Sequence, residues 1–158
     1  MMSQNNVNTI LIVEDEVILA MAEKIDLERY GYNVITANSG IDAIEAYKDN
    51  KDINLVLMDI NLGDGFDGVE TSILMLKERK VPIVFISSHT EVDIVEKTEK
   101  ITSYGYVVKN TGITVIDAAI KMALKLFEAH QNDKSSADLI NIFTTVPYIL
   151  KPKVQLNV

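Results

Sequence analysis

The chain has no cysteine, which excludes disulfide bridges, thiol nucleophiles and zinc sites built on thiolates. Its two histidines, His89 and His130, lack a histidine partner at helical or loop spacing and are read as solvated side chains, not metal ligands. No apolar stretch approaches the roughly 18 residues of a membrane span, and the polar start MMSQNNVN has no signal-peptide core. The expectation is a cytoplasmic protein with no membrane partner. Positive charge is scarce as well, with 15 Lys and Arg against 23 Asp and Glu and a formal net charge of -8. A nucleic-acid footprint needs clustered Lys and Arg, so direct nucleic-acid binding is not expected.

What the chain does have is a set of short, continuous Val, Ile and Leu runs, the mark of strands buried on both faces of a parallel sheet. Strands are expected over 8–13, 32–37, 54–58, 83–86 and 104–108, the second near a sheet edge because it is less apolar. Helices are expected over 16–30, 41–49, 69–80, 91–102 and 114–130. Ile18, Leu19, Ala22, Ile25 and Leu27 can form an apolar stripe on the first helix; Ala43, Ile44 and Tyr47 can face inward on the second. Gly31 suits the end of the first helix, Thr90 and Thr114 suit helix starts, and Met21, Met58, Met75 and Met122 read as core filler. The glycine-bearing loop 61–68 reads as a mobile, exposed connection. Regular alternation with right-handed crossovers gives an α/β doubly wound, five-stranded parallel sheet with helices on both faces. Residues 131–158 fit none of these units and, with Pro147 and Pro152 interrupting any long helix, read as a linker and C-terminal appendage to a domain over 8–130.

The acidic residues stand where strands stop. Glu14 and Asp15 follow the first strand and Asp59 the third, with Ser87 after the fourth and Lys109 after the fifth. Ligands of open parallel sheets bind outside the carboxyl ends of the strands. Three carboxylates converging there repel one another unless a proton or cation intervenes, and a hard divalent metal meets that need. Taken singly, each residue has an ordinary structural reading, an acid at a helix start or a solvated lysine at a strand end. The conjunction at one sheet edge is what points to chemistry.

The ordered set VEDE, LMDIN, PIVFISS and GYVVKN resembles the response-regulator receiver domains of two-component signalling, and YGYVVKNTGITVIDAAIKMALKLFEAH is similar to receivers at the front of multidomain sensor histidine kinases. The resemblance implies a flavodoxin-like strand order 2-1-3-4-5 and a phosphoacceptor, not an enzyme in its own right. It implies phosphorylation of Asp59 from a phosphohistidine of a histidine kinase or phosphotransfer protein. Mg2+, with Mn2+ as a substitute, would be held by Glu14, Asp15, Asp59 and the Asn61 backbone carbonyl. Lys109, Ser87 and Ser88 would meet the phosphoryl oxygens. Ser87 and Tyr106 would act as the switch, changing the face formed by helix 91–102, the fifth strand and the final helix for an unknown output partner; a homodimer is compatible with this.

Four departures from the family pattern stand out. Glu14 replaces the more usual Asp, Gly63 stands where proline is common, the loop is one residue longer around Gly65, and Asn110 replaces the proline that commonly follows the lysine. Two other classes share parts of the pattern. An aspartyl phosphohydrolase of the haloacid dehalogenase type would place its nucleophile after the first strand in a DxD pattern. A flavodoxin-like binding module would want a phosphate-cradling loop there, where Glu14, Asp15 and Glu16 would repel its ligand.

Overall fold

The computed structural model describes residues 6–88 and 103–132. Five strands, β1 (Thr9–Val13), β2 (Asn33–Ala37), β3 (Ile53–Asp59), β4 (Ile83–Ser87) and β5 (Gly105–Val108), form one sheet in the order β2-β1-β3-β4-β5. Every pairing is parallel. The described helices are α1 (Val17–Arg29), α2 (Gly40–Asp49), α3 (Gly68–Glu78) and α4 (Ile113–Asn132). The helix expected over 91–102, the Thr90 cap, His89 and most of the appendage lie outside the described residues.

Strand parity divides the interior into two cores. On one face Leu11, Val13, Val56, Met58, Ile83 and Phe85 pack with Ala43 and Tyr47 of α2 and Met75 of α3. On the other, Ile10, Ile12, Leu55, Leu57, Val84, Ile86 and Val107 pack with Leu27 of α1 and Ile120 and Ala123 of α4. Each fully buried Leu, Ile or Phe contributes about 1.5–3 kcal/mol, so both layers hold the sheet. Asp117 on α4 ties this second layer to the edge strand, accepting the Tyr32 hydroxyl at 2.6 Å while pairing with Lys121 at 2.8 Å.

Helix starts are set by local chemistry. Ser39 caps α2 by accepting from the Asp42 amide at 3.1 Å. Asp67 and Glu70 form a reciprocal capping box on α3, at 2.8 and 3.1 Å, satisfying two orphan donors. Gly31, with φ 94°, follows α1 as expected. Thr114, by contrast, is not a cap: α4 begins one residue earlier, after the left-handed Gly112, and the Thr114 hydroxyl lies 3.4 Å from that of Tyr30.

The apolar stripe expected on α1 turns inward only in part: Leu27 is buried and Leu19 half-buried, whereas Ile18, Ala22 and Ile25 face solvent. Ile18 is 84% exposed and Ile25 and Met21 also face solvent, while Ala20 and Leu27 are buried. The inner face therefore follows Ala20, Glu23 and Leu27, the i, i+3, i+7 row. Packing of the crossover onto the sheet, and not the count of apolar side chains per face, fixes the helix phase. Met122 is likewise exposed, whereas Met58 and Met75 are fully buried. His130 is not simply solvated, since its Nδ1 meets the Tyr104 hydroxyl.

Candidate functional site

The register of the strands assembles the site. Val13 pairs with Met58, so Glu14 and Asp59 emerge side by side. Asp59 pairs with Ile86, placing Ser87 one residue beyond it, and Ser87 pairs with Val108, the residue before Lys109. Glu14, Asp59 and Lys109 continue the parity of Ile12, Leu57 and Val107, and so belong to the side covered by α1 and α4.

Lys109 is the centre of the arrangement. Its Nζ lies 2.9 Å from Asp59 Oδ2 and 3.1 Å from Glu14 Oε1, and its backbone amide donates to the Ser87 carbonyl at 2.9 Å. Both carboxylates are nearly closed off, Glu14 at 2% and Asp59 at 3% exposed. Asp59 Oδ1 also accepts from the Asn61 amide at 3.1 Å, and Glu14 Oε2 from the Glu16 amide at 3.1 Å. Burial pushes Glu14 up to about 8, reinforced by the charge of Asp59 and opposed by the Glu16 amide and Lys109. Burial alone would lower Lys109, but its hydrogen bonds to Asp59 and Glu14 outweigh that and hold it above the ordinary lysine range.

Asp15 completes an acidic trio. One carboxylate oxygen from each of Glu14, Asp15 and Asp59 lies within 4.8 Å of the others, with Asp15 exposed and the other two buried. Oxygen donors converging at that spacing fit a hard divalent cation, with Asp15 open to it and Glu14 already engaged by Lys109 and the Glu16 amide. The departures noted in the sequence now have backbone reasons. Gly63 (φ 73°) and Gly65 (φ 89°) are both left-handed, and a proline, locked near −65°, could not occupy Gly63. The Asp15 carboxylate sits beside Gly63, 3.4 Å from where a Cβ would be. Asn110 also takes a left-handed φ of 68°, and no described peptide bond is cis; asparagine tolerates this conformation better than most residues.

The loop after Asp59 is more built than its glycines suggested. Ile60 and Leu62 are buried, and Gly68 opens α3, donating its amide to the Ile60 carbonyl at 2.8 Å. A Cβ on Gly68 would lie 2.1 Å from the Asp59 carbonyl oxygen, so this glycine positions the strand end. The sequence reading missed it, although a glycine just after a capping Asp was the available signal. Ser87 is buried, Ser88 exposed beyond it, and Tyr106 half-buried against the α2–α3 core, opposite Phe85. The structure brings Glu14, Asp15, Asp59 and Lys109 together by direct geometry; it sets Ser87, Ser88 and Asn61 on the same edge and Tyr106 two residues back on β5.

Comparison with known proteins bears on this geometry. The family model described as the response regulator receiver domain matches residues 10–121. The regulator PhyR of Methylorubrum extorquens is 37% identical over 83 residues, covering 52% of this chain and 31% of the relative. The transcriptional regulatory protein AfsQ1 of Streptomyces coelicolor is 29% identical over 129 residues, covering 81% and 56%. This chain thus spans from 31% to 56% of these relatives' lengths. The N-terminal domain of a response regulator/sensory box/GGDEF three-domain protein from Carboxydothermus hydrogenoformans superimposes with a TM-score of 0.72 at 41% identity, covering 77% of this chain and 98% of that one. A signal receiver domain of a modulated diguanylate cyclase from Desulfovibrio desulfuricans gives 0.69 at 30% identity, covering 76% and 95%. Sheet order, the acids at the strand ends, the paired lysine and a family match over most of the chain agree, and the chain belongs to the response regulator receiver family.

Proposed function

We propose that this chain accepts a phosphoryl group on Asp59 from the phosphohistidine of a histidine kinase or phosphotransfer protein. The observation that carries the reading is the Asp59 carboxylate, held at the sheet edge by Lys109 at 2.9 Å and the Asn61 amide at 3.1 Å, beside two further acids. One carboxylate oxygen attacks phosphorus in line, the P–N bond to imidazole breaks with its electron pair returning to nitrogen, and an acyl phosphate results. Lys109 neutralises a phosphoryl oxygen as the new charge arrives. Glu14, Asp15, Asp59 and the Asn61 carbonyl would hold Mg2+ or Mn2+, which when bound supplies positive charge against the phosphoryl oxygens.

Ser87 and Ser88 offer hydroxyls to the remaining oxygens, and capture of Ser87 draws the end of β4 toward the site. Tyr106 then shifts from its half-buried position to a buried one, altering the face that includes β5 and α4. The test is intact-mass measurement after treatment with acetyl phosphate and Mg2+. One added phosphoryl group is expected, absent in Asp59→Asn; equal labelling of that variant would overturn the assignment.

A further inference from the structure

Lys109 meets two buried carboxylates at 2.9 and 3.1 Å with a side chain that is by nature flexible. Packing closes only part of its surroundings. A cleft of about 210 Å³ opens between Lys109 with its loop neighbours and Leu19, Ala22 and Glu23 of α1. The backbone that carries the lysine therefore has to set its direction.

That backbone is clamped on both sides. The Lys109 amide donates to the Ser87 carbonyl at 2.9 Å, which carries the β4–β5 ladder one residue past Val108. Lys109 and Asn110 are then the central residues of a tight turn, across which the Thr111 hydroxyl donates to the Val108 carbonyl at 2.9 Å. Asn110 takes a φ of 68°, a conformation that is costly for most residues and that Asn and Gly accept. Only Gly112, at φ 94°, separates Thr111 from α4. The chain thus leaves the sheet, turns and enters a helix within residues 109–112, and the left-handed step at Asn110 makes that turn while Lys109 keeps the facing of its strand. Asn110 and Thr111 are both exposed, so burial does not explain their identity.

We propose that Asn110 and Thr111 are positioning residues for Lys109, the turn they form directing its ammonium between Asp59 and Glu14. The inference deepens the phosphoacceptor reading and rests on it for its consequence: the turn governs how well Lys109 meets phosphoryl oxygens and leaves the metal acids as they are. Two chemically different features carry it, the left-handed backbone of Asn110 and the hydroxyl of Thr111, and each can be kept or removed by itself. Asn110→Gly keeps the left-handed φ without the side chain, and Asn110→Ala strains it. Thr111→Ser keeps the hydroxyl, and Thr111→Val removes it at nearly constant shape.

The test compares these four variants with the parent in the full chain. The first readout is the ammonium N–H signal of Lys109 in metal-free protein, identified by its loss in Lys109→Met; an ammonium held between two buried carboxylates exchanges its protons slowly enough to be seen. The parent, Asn110→Gly and Thr111→Ser should show it, whereas Asn110→Ala and Thr111→Val should lose it. This arm needs no phosphoryl transfer. The second readout sets affinity for beryllofluoride, a phosphoryl mimic, against affinity for Mg2+ alone. Asn110→Ala and Thr111→Val should bind beryllofluoride about fivefold to tenfold more weakly, the scale of one displaced hydrogen bond. Mg2+ should bind them no more weakly than the parent, because Lys109 is no ligand and its charge opposes the metal. A parent without the ammonium signal, parent-like signals in Asn110→Ala and Thr111→Val, equal losses in Asn110→Gly and Thr111→Ser, or Mg2+ affinity falling in step with beryllofluoride would each overturn the proposal. A parent that shows the ammonium yet binds no beryllofluoride counts against Asp59 as acceptor, and the ammonium arm then decides alone. Should Asn110→Ala lose its dispersed spectrum, the two Thr111 variants decide.

Discussion

Replacing Lys109 by methionine keeps a similar side-chain length and removes the one cation that the described residues bring against both Glu14 and Asp59. Breaking a buried ion pair by removing one partner costs about 3–5 kcal/mol. Glu14 has an escape from the full penalty, because burial already pushes its carboxyl up to about 8 and a proton can replace the lysine. The sign follows from both groups. Lys109, raised above its ordinary 10.5, contributes fully below that value and evenly from pH 6 to 8. Glu14, raised from 4.5, contributes its proton-linked stability below 4.5 and loses it as pH climbs through about 8. Metal-free Lys109→Met should therefore lose about 3 kcal/mol at pH 8. Because a carboxyl at about 8 is already half protonated in the parent at pH 8, the loss should shrink by no more than about 0.4 kcal/mol at pH 6. For a domain of this size the larger figure is about 10 °C in Tm. Thermal unfolding followed by circular dichroism in chelator measures it, and added Mg2+ should restore most of the difference by supplying the missing charge. A metal-free variant melting within about 2 °C of the parent at pH 8 would refute the view that Lys109 holds this site together.

Other consequences can be checked alongside. Asp15→Ala should weaken Mg2+ by about tenfold or more through loss of a close full charge, and more than Glu14→Gln does; a titration with the order reversed would contradict the open position given to Asp15. Ser87→Ala should still accept a phosphoryl group but lose the beryllofluoride-induced shift at the Tyr106 amide, and a parent-like shift there would show that the signal takes another route. Gly68→Ala drives a Cβ to 2.1 Å from the Asp59 carbonyl, so it should cost about 3 kcal/mol. Gly31→Ala, in open space at φ 94°, should cost only about 1 kcal/mol. Equal melting temperatures for the two glycine variants would mean that the strand end yields.

The sheet and its acidic edge were legible because both follow from local pattern. Uninterrupted Val, Ile and Leu runs have few alternatives to a buried strand, and a charge after such a run falls at its end. Helix phase was not legible in the same way. On α1 the expected stripe joins the buried Leu27 and half-buried Leu19 to the outward Ile18, Ala22 and Ile25 and leaves out the buried Ala20, so a count of hydrophobic residues blurs the helix phase and hides Glu23. Thr114 looked like a cap, yet the left-handed Gly112 lets α4 begin before it. Gly63 in place of proline stood out as a bare departure from the family pattern, and only its φ of 73° shows a backbone that proline could not follow. These misses share a cause: they depend on where the chain is already pinned by tertiary packing, which no single segment records.

Glu14, Asp59 and Lys109 inherit the facing of Ile12, Leu57 and Val107, two residues earlier in their strands. That inheritance limits how such a chain can diverge. One residue inserted within β1, β3 or β5 would move every later side chain of that strand to the opposite face, carrying the acid or the lysine away from its partners. The left-handed glycines at 63 and 65 lie beyond the strand end, where an added residue shifts no parity. Length changes among descendants of this sequence should therefore accumulate between elements, and the spacing from each buried run to its charged residue should drift least, even where the residues of the run are freely exchanged.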